Sequence, residues 1–249
     1  MNQNPEQLAR DKIDSELIRS GWLKNLGDQP EQESIALRQS ILKKAFEGKL
    51  VNTTTQAVSF KPKNQYFFDC QILGYIIRAS KKKNIRHGEM TLAKYAYLAV
   101  KIFGIPLSYI FQQWHLGPYP PEIKKAVNNK QFFLHTKSGL DLADEEKLLK
   151  YENPYPEQTE QAVDELIAIF EKYDAKNRAH KTELLATVCK VLEDTVSTDF
   201  SAVRDAMRNW KIELKNSSYR NKAEKFNEEE TKQCLSFIMK RGWGHKLTQ

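Results

Sequence analysis

Cysteine is scarce in this 249-residue chain and shows no pairing pattern. Cys70, Cys189 and Cys234 are odd in number, far apart, and none belongs to a CxxC pair. That argues against a disulfide framework or a cysteine-based zinc site. Each sits among apolar neighbours at helical spacing, so the three read as small core residues of a reducing compartment. The five histidines, His87, His115, His135, His180 and His245, lack ligand spacing such as HxxxH. Neither GxxxxGKS, GxxxxGKT nor GxGxxG occurs, so no nucleotide-binding loop is visible. An Asn-Pro-Pro-aromatic methyltransferase motif is also missing; Asn153-Pro154-Tyr155-Pro156 has the letters in the wrong order and reads as a rigid turn. No run of 18 apolar residues exists, and the first ten residues have no apolar signal core. These absences predict a cytoplasmic protein with no membrane span, no cofactor and no metal.

What the chain does have is helical periodicity and positive charge. Net charge is +7 with a pI near 9.1, and 40% of residues are hydrophobic. Such a balance supports a packed core and permits a nucleic-acid partner without establishing one. The periodicity predicts a mainly α protein: a multi-helix domain with a small β-hairpin or wing and a C-terminal helix-turn-helix-like unit. Residues 1–60 read as docking helices and linker, 61–175 as a central helical domain, and 176–249 as a C-terminal, winged-helix-like unit.

The organising stretch is 90–127. Leu92, Tyr95, Ala96, Ala99, Ile102 and Phe103 form one apolar helical face. Gly104 and Pro106 end that helix. Tyr109, Phe111 and Trp114 follow, then the forced turn Gly117-Pro118-Tyr119-Pro120-Pro121 and a new helix from about Glu122. Core plus turn is one reading, and it places Trp114 inside with its indole nitrogen hydrogen-bonded. A recognition surface around Trp114 and Tyr119 is the other.

Elsewhere, residues 65–79 are apolar on nearly every side, which predicts a buried central helix. Behind it come Arg78, Lys81, Lys82, Lys83 and Arg86, five cations in nine residues with no acid among them. They suit either the negative pole of a helix end or contact with phosphates. The segments 131–134 and 140–142 flank a turn and predict a hairpin. Near the C-terminus, Thr198 or Asp199 can cap a helix whose face is Val203, Ala206, Met207 and Trp210. Asn227 and Glu230 form a capping-box-like start for a last helix that buries Cys234, Leu235, Ile238 and Met239. Arg204, Arg208, Lys211 and Lys215 fall at i, i+4, i+7 and i+11, a stripe able to follow a DNA backbone, and Arg220, Lys222 and Lys225 extend it. Simple amphipathicity explains the same spacing. A metal-dependent nuclease would need an Asp and a Glu-x-Lys on neighbouring strands; Glu145–Lys147 and Glu213–Lys215 have the triplet but no convincing strand with Asp.

Three stretches resemble known families. Residues from Asn4 to Asp14, closing with Ser20-Gly21-Trp22, resemble the start of type I restriction-enzyme motor/nuclease subunits, although the nuclease domain that follows there has no counterpart here. Residues 36–51, ALRQSILKKAFEGKLV, closely resemble the terminal helix motif of type I specificity subunits. In that family the helix belongs to the scaffold that spaces the DNA-recognition domains and holds the methyltransferase subunits. The resemblance therefore implies a partner-docking helix presenting Leu37, Ile41, Leu42 and Phe46, in a chain with no room for recognition domains before it. The region from about 65 onward is similar to the helical accessory part of some restriction-modification subunits. Its Lys94, Leu98, Trp114, Gly117, Pro118 and Tyr119 are more distantly similar to the Panacea domain of antitoxins. Together these imply a non-catalytic accessory or specificity-subunit-like protein of a type I restriction-modification system. It would dock on the methyltransferase or motor subunit and touch DNA weakly and without sequence preference. An antitoxin-like regulatory binding protein is the alternative.

Overall fold

The computed structural model describes residues 64–86, 88–149 and 156–248. The docking positions Leu37, Ile41, Leu42 and Phe46, and the turn at 153–155, lie outside them.

Helix α1 (Gln65–Lys82) starts where the Asn64 side chain accepts the Phe67 amide, filling one of the orphan donors of a first turn. Its apolar-all-round sequence is buried as expected: Cys70, Ile72, Leu73 and Ile76 are closed to solvent. Helix α2 (Glu89–Phe103) follows and ends at Gly104, whose φ of +70° is the left-handed conformation that a residue without a Cβ adopts freely. Tyr95 and Tyr97, both fully buried, mark its inner side.

A short hairpin comes next, β1 (Gln112–Trp114) and β2 (Gly117–Tyr119), paired antiparallel with Gln112 opposite Tyr119 and Trp114 opposite Gly117. Helix α3 (Glu122–Val127) begins at the position expected. A second hairpin, β3 (Phe133–Thr136) and β4 (Gly139–Leu142), fulfils the expectation for 131–142. Helices α4 (Glu145–Leu149), α5 (Pro156–Glu171) and α6 (Ala175–Thr195) lead to α7 (Phe200–Asn209), α8 (Lys222–Lys225), α9 (Glu228–Lys240) and α10 (Trp243–Leu247). The protein is thus mainly helical with two small antiparallel hairpins.

Helix α6 is the inner post of the fold. Residues Thr182 to Leu192 are buried without a break, and α2, α7, α9, α10 and β2 all pack on it. Helix α1 packs across α2 and α5. The junction near residue 175, where the sequence suggests a boundary, is strapped by Arg178: its guanidinium donates to the carbonyls of Phe170 and Tyr173 at the end of α5. Residues Pro62–Gln249 group as one compact unit across that junction.

The predicted caps are present. Asp199 accepts from the Ala202 amide and Asn227 from the Glu230 amide. All three cysteines are buried free thiols. Met239, assigned to the buried face of the last helix, is instead 47% exposed, because α10 turns back at Gly242 and seats Trp243 against Phe237 and Phe103. No described helix is long and apolar enough to cross a membrane.

Candidate functional site

The β1–β2 hairpin carries the most exposed aromatic construction near the centre of the fold. Its two turn residues, His115 and Leu116, keep negative φ, and the chain reversal is completed at Gly117 with φ +105°. A Cβ there would come within 3.1 Å of Lys94 Cε, 3.5 Å of Glu183 Cγ and 3.6 Å of Thr187 Oγ1. Glycine is therefore needed twice, for the backbone angle and for the close seat on α2 and α6. Strand β2 is buried throughout, whereas Gln112, Gln113 and Trp114 of β1 face outward.

This corrects the expectation that Trp114 is a core residue. Its side chain is 44% exposed, tilted beside the rings of His115 and Tyr119 at 5.1 and 5.8 Å between centroids. The buried, hydrogen-bonded indole belongs to Trp210, 3% exposed, whose Nε1 donates to the Trp114 carbonyl oxygen at 2.9 Å. Tyr119 is 8% exposed, and its hydroxyl donates to Glu89 at the start of α2.

Beneath the hairpin lies a group of buried charges. Lys222 is fully enclosed and its Nζ donates to Glu183 Oε1 at 2.6 Å and to the His115 carbonyl at 2.9 Å. Lys225 Nζ donates to both Glu183 oxygens, at 2.7 and 2.8 Å. Lys94, 4% exposed, donates to the Met90 carbonyl at 2.7 Å. Three ammonium groups thus share one carboxylate. Burial, and then the mutual repulsion of these cations, outweighs the attraction of Glu183 and brings Lys94 and Lys222 each down to about 8. Burial, then Lys222 and Lys94, also lowers His115. The carbonyls of two consecutive hairpin residues, 114 and 115, are therefore held by side chains from the segment just after α7.

Glu183 and Lys222 were missed by the motif reading. The available signal was a lone Glu followed by Leu184, Leu185 and Ala186 inside an apolar helical run. A carboxylate there must meet a cation or be neutral. Lys94, among Leu92, Ala93, Tyr95 and Ala96, carries the same signal.

Neither predicted DNA-binding group forms a free cationic track. In the first, Arg78 pairs with Glu160 at 2.6 Å and Glu145 at 3.4 Å, Lys81 and Arg86 share Asp141 at 2.9 and 3.2 Å, and Lys83 reaches Glu171 at 3.2 Å. Burial favours the neutral acid at Asp141, but Lys81, the Leu142 amide and Arg86 together hold its pKa below the usual range. The acids absent from the local sequence come from β4, α4 and α5. Lys82 remains exposed, without an ion pair among the described residues.

The C-terminal stripe fails for a different reason. Its spacing requires a helix through 215, but α7 stops at Asn209 and Trp210 turns to ψ +96°. Residues 210–212 instead run antiparallel to 220–222, with Lys211 bridged to Asn221. Arg204 points inward, 6% exposed, donating to the carbonyls of Phe226 and Ala223 and to the Thr231 hydroxyl. Arg208 pairs with Asp205, and Lys222 is enclosed. Lys211 and Lys215 are exposed, apart from a 3.3 Å bond from Lys211 to the Arg208 carbonyl. We predict that Arg204→Ala destabilises the fold by ~2–4 kcal/mol, since it strands buried acceptors in two elements. Anisotropy titration of the same variant with duplex DNA at low salt should match wild type; a selective loss of DNA affinity in a stable variant would restore the stripe.

No strand pair around Glu213–Lys215 supports a nuclease site, and among the described residues no group of three or more His, Cys, Asp or Glu could hold a metal. No known protein family and no curated protein matches the sequence.

Proposed function

We propose that this chain is a non-catalytic binding protein of a type I restriction-modification system, which docks on the methyltransferase or motor subunit and presents the 112–119 hairpin to a protein partner. One observation carries the binding role: Trp114 is held outward on a backbone fixed from beneath by Trp210 and Lys222. An exposed aromatic on a rigid support loses little conformational freedom on binding, and tryptophan is enriched among residues that dominate interface energies. The assignment to a restriction-modification system is supported by the resemblance at residues 36–51. DNA contact in this reading is secondary and falls to Lys211, Lys215 and Lys82 in place of the two broken tracks.

A second reading is favoured by a specific observation. The Gly117-Pro118-Tyr119 stretch that resembles antitoxin Panacea domains is the inner strand of this same hairpin. An antitoxin-like regulatory protein would use the same surface on a toxin.

The test is co-expression of the tagged full chain with the methyltransferase, specificity and motor subunits encoded beside its gene. Retention of those subunits, lost on deleting residues 1–60, is the expected result. Retention unchanged by the deletion would remove the docking role of 31–50. Capture of a small neighbouring toxin in place of the subunits would establish the second reading.

A further inference from the structure

A cavity of about 270 Å³ opens between α5, α6 and α9, on elements that take no part in holding the hairpin from beneath at Trp210 or Lys222. Its size lies near the lower end of small-molecule sites, roughly 300 Å³ and upward. The floor is apolar: Phe170, Leu184, Leu185 and Cys234 line it, and each is at most 9% exposed. A floor of that composition gives a bound water too few partners and favours a hydrocarbon group.

The polar groups at the rim decide what such a molecule must carry. Glu230 lines the cavity, but its carboxylate already accepts from His180 Nε2 at 2.8 Å and Lys181 Nζ at 3.2 Å. Burial favours the neutral acid there, yet these two neighbours outweigh it and keep Glu230 ionised below the usual range. Its charge is therefore matched within the protein. Lys172 also lines the cavity and has no ion pair among the described residues; its ammonium lies 5.2 Å from the Tyr173 ring centroid. The rim thus holds two lysines against one carboxylate that is already engaged. A cationic ligand would meet repulsion with no free acid to receive it. A neutral one would leave the Lys172 charge unanswered.

We propose that this cavity binds a small amphiphile consisting of an aliphatic tail and a single carboxylate. The tail occupies the space over Phe170, Leu185 and Cys234, and the carboxylate meets Lys172, with Lys181 close by at the rim. The site is independent of the hairpin, so its failure and the failure of the docking proposal are separable.

Octanoate is the probe, with octanol as its neutral counterpart. The measurement is methyl NMR of the full chain labelled at Ile and Leu. Octanoate should give saturable shifts at Ile169, Leu184 and Leu185, and should bind at least tenfold more tightly than octanol. Lys172→Glu alters an exposed side chain and leaves the core intact; it should weaken octanoate tenfold or more and leave octanol unchanged. Equal binding of the two probes would overturn the carboxylate assignment. Absence of saturable shifts at those three methyls, or shifts spread over the whole core, would overturn the site.

Discussion

Trp114→Ala is expected to lower affinity for the protein partner by roughly 30- to 1,000-fold while leaving the melting curve almost unchanged. The two halves of this result have separate causes. An anchor aromatic at the centre of an interface costs about 2–4 kcal/mol when truncated, and each 1.4 kcal/mol is about tenfold in affinity. Stability should move by no more than about 1 kcal/mol, because the side chain is 44% exposed and its fixed atom is a backbone carbonyl that alanine retains. Had Trp114 been a core residue, the same change would cost ~3–5 kcal/mol of stability. Titration of the captured partner against both proteins, beside thermal melts, checks both halves. Partner affinity equal to wild type would remove the hairpin from the interface.

Glu183→Ala should produce the largest loss of stability in the described fold, about 3–5 kcal/mol, the cost of leaving a buried cation without its counterion. Lys222 has no route to water, whereas Lys225 is partly exposed and can swing outward. The double variant Glu183→Leu with Lys222→Met should therefore recover most of the loss, since well-packed apolar residues can replace a buried pair at little cost. A double variant no better than Glu183→Ala would show that the His115 and Trp114 contacts matter more than the charge.

The same group predicts an unusual alkaline profile. Lys94 and Lys222 release their protons near 8 in the native state, against 10.5 for an ordinary lysine. Between those values the unfolded chain binds more protons, so stability rises with pH. From pH 8 to 9 the gain should be about 1 kcal/mol for each lysine. Above pH 9 the sign reverses. Burial raises Cys70 and Cys234 to about 12 and Cys189 well above its ordinary 9.0, so the unfolded thiols ionise first and favour unfolding. Chemical denaturation across pH 7–10.5 should show a maximum near pH 9, reduced by one lysine's share in Lys222→Met. A flat profile from pH 8 to 9 would contradict the buried charges.

The helices were legible because each repeats one local pattern. Apolar residues three and four apart located α2, α5 and α9, the all-round apolar run located α1, and Asp199, Asn227 and Gly104 marked ends through their own neighbours. The fate of the cations was not local. Lys222 finds the His115 carbonyl across 107 positions, and Lys81 finds Asp141 across 60. No window along the chain contains both members of such a pair. Arg204 and Arg208 look equivalent by helical spacing, yet one is internal and the other exposed, because the packing of α8 and α9 over α7 selects between them. The choice between Trp114 and Trp210 rested on which side of a three-residue strand faces inward, too short a run for alternation to reveal.

The presented hairpin also resists lengthening into a larger sheet. Pro118 sits within β2 and Pro120 and Pro121 follow it, so the inner strand has few amide donors to offer a neighbouring strand. On the other side of the turn, the oxygens of Trp114 and His115 are already taken by an indole and an ammonium. A visiting chain finds little main chain to pair with and must read side chains instead. An exposed aromatic hairpin of this make offers little template for edge-to-edge self-assembly, so Trp114 can stay in water without recruiting copies of its own protein.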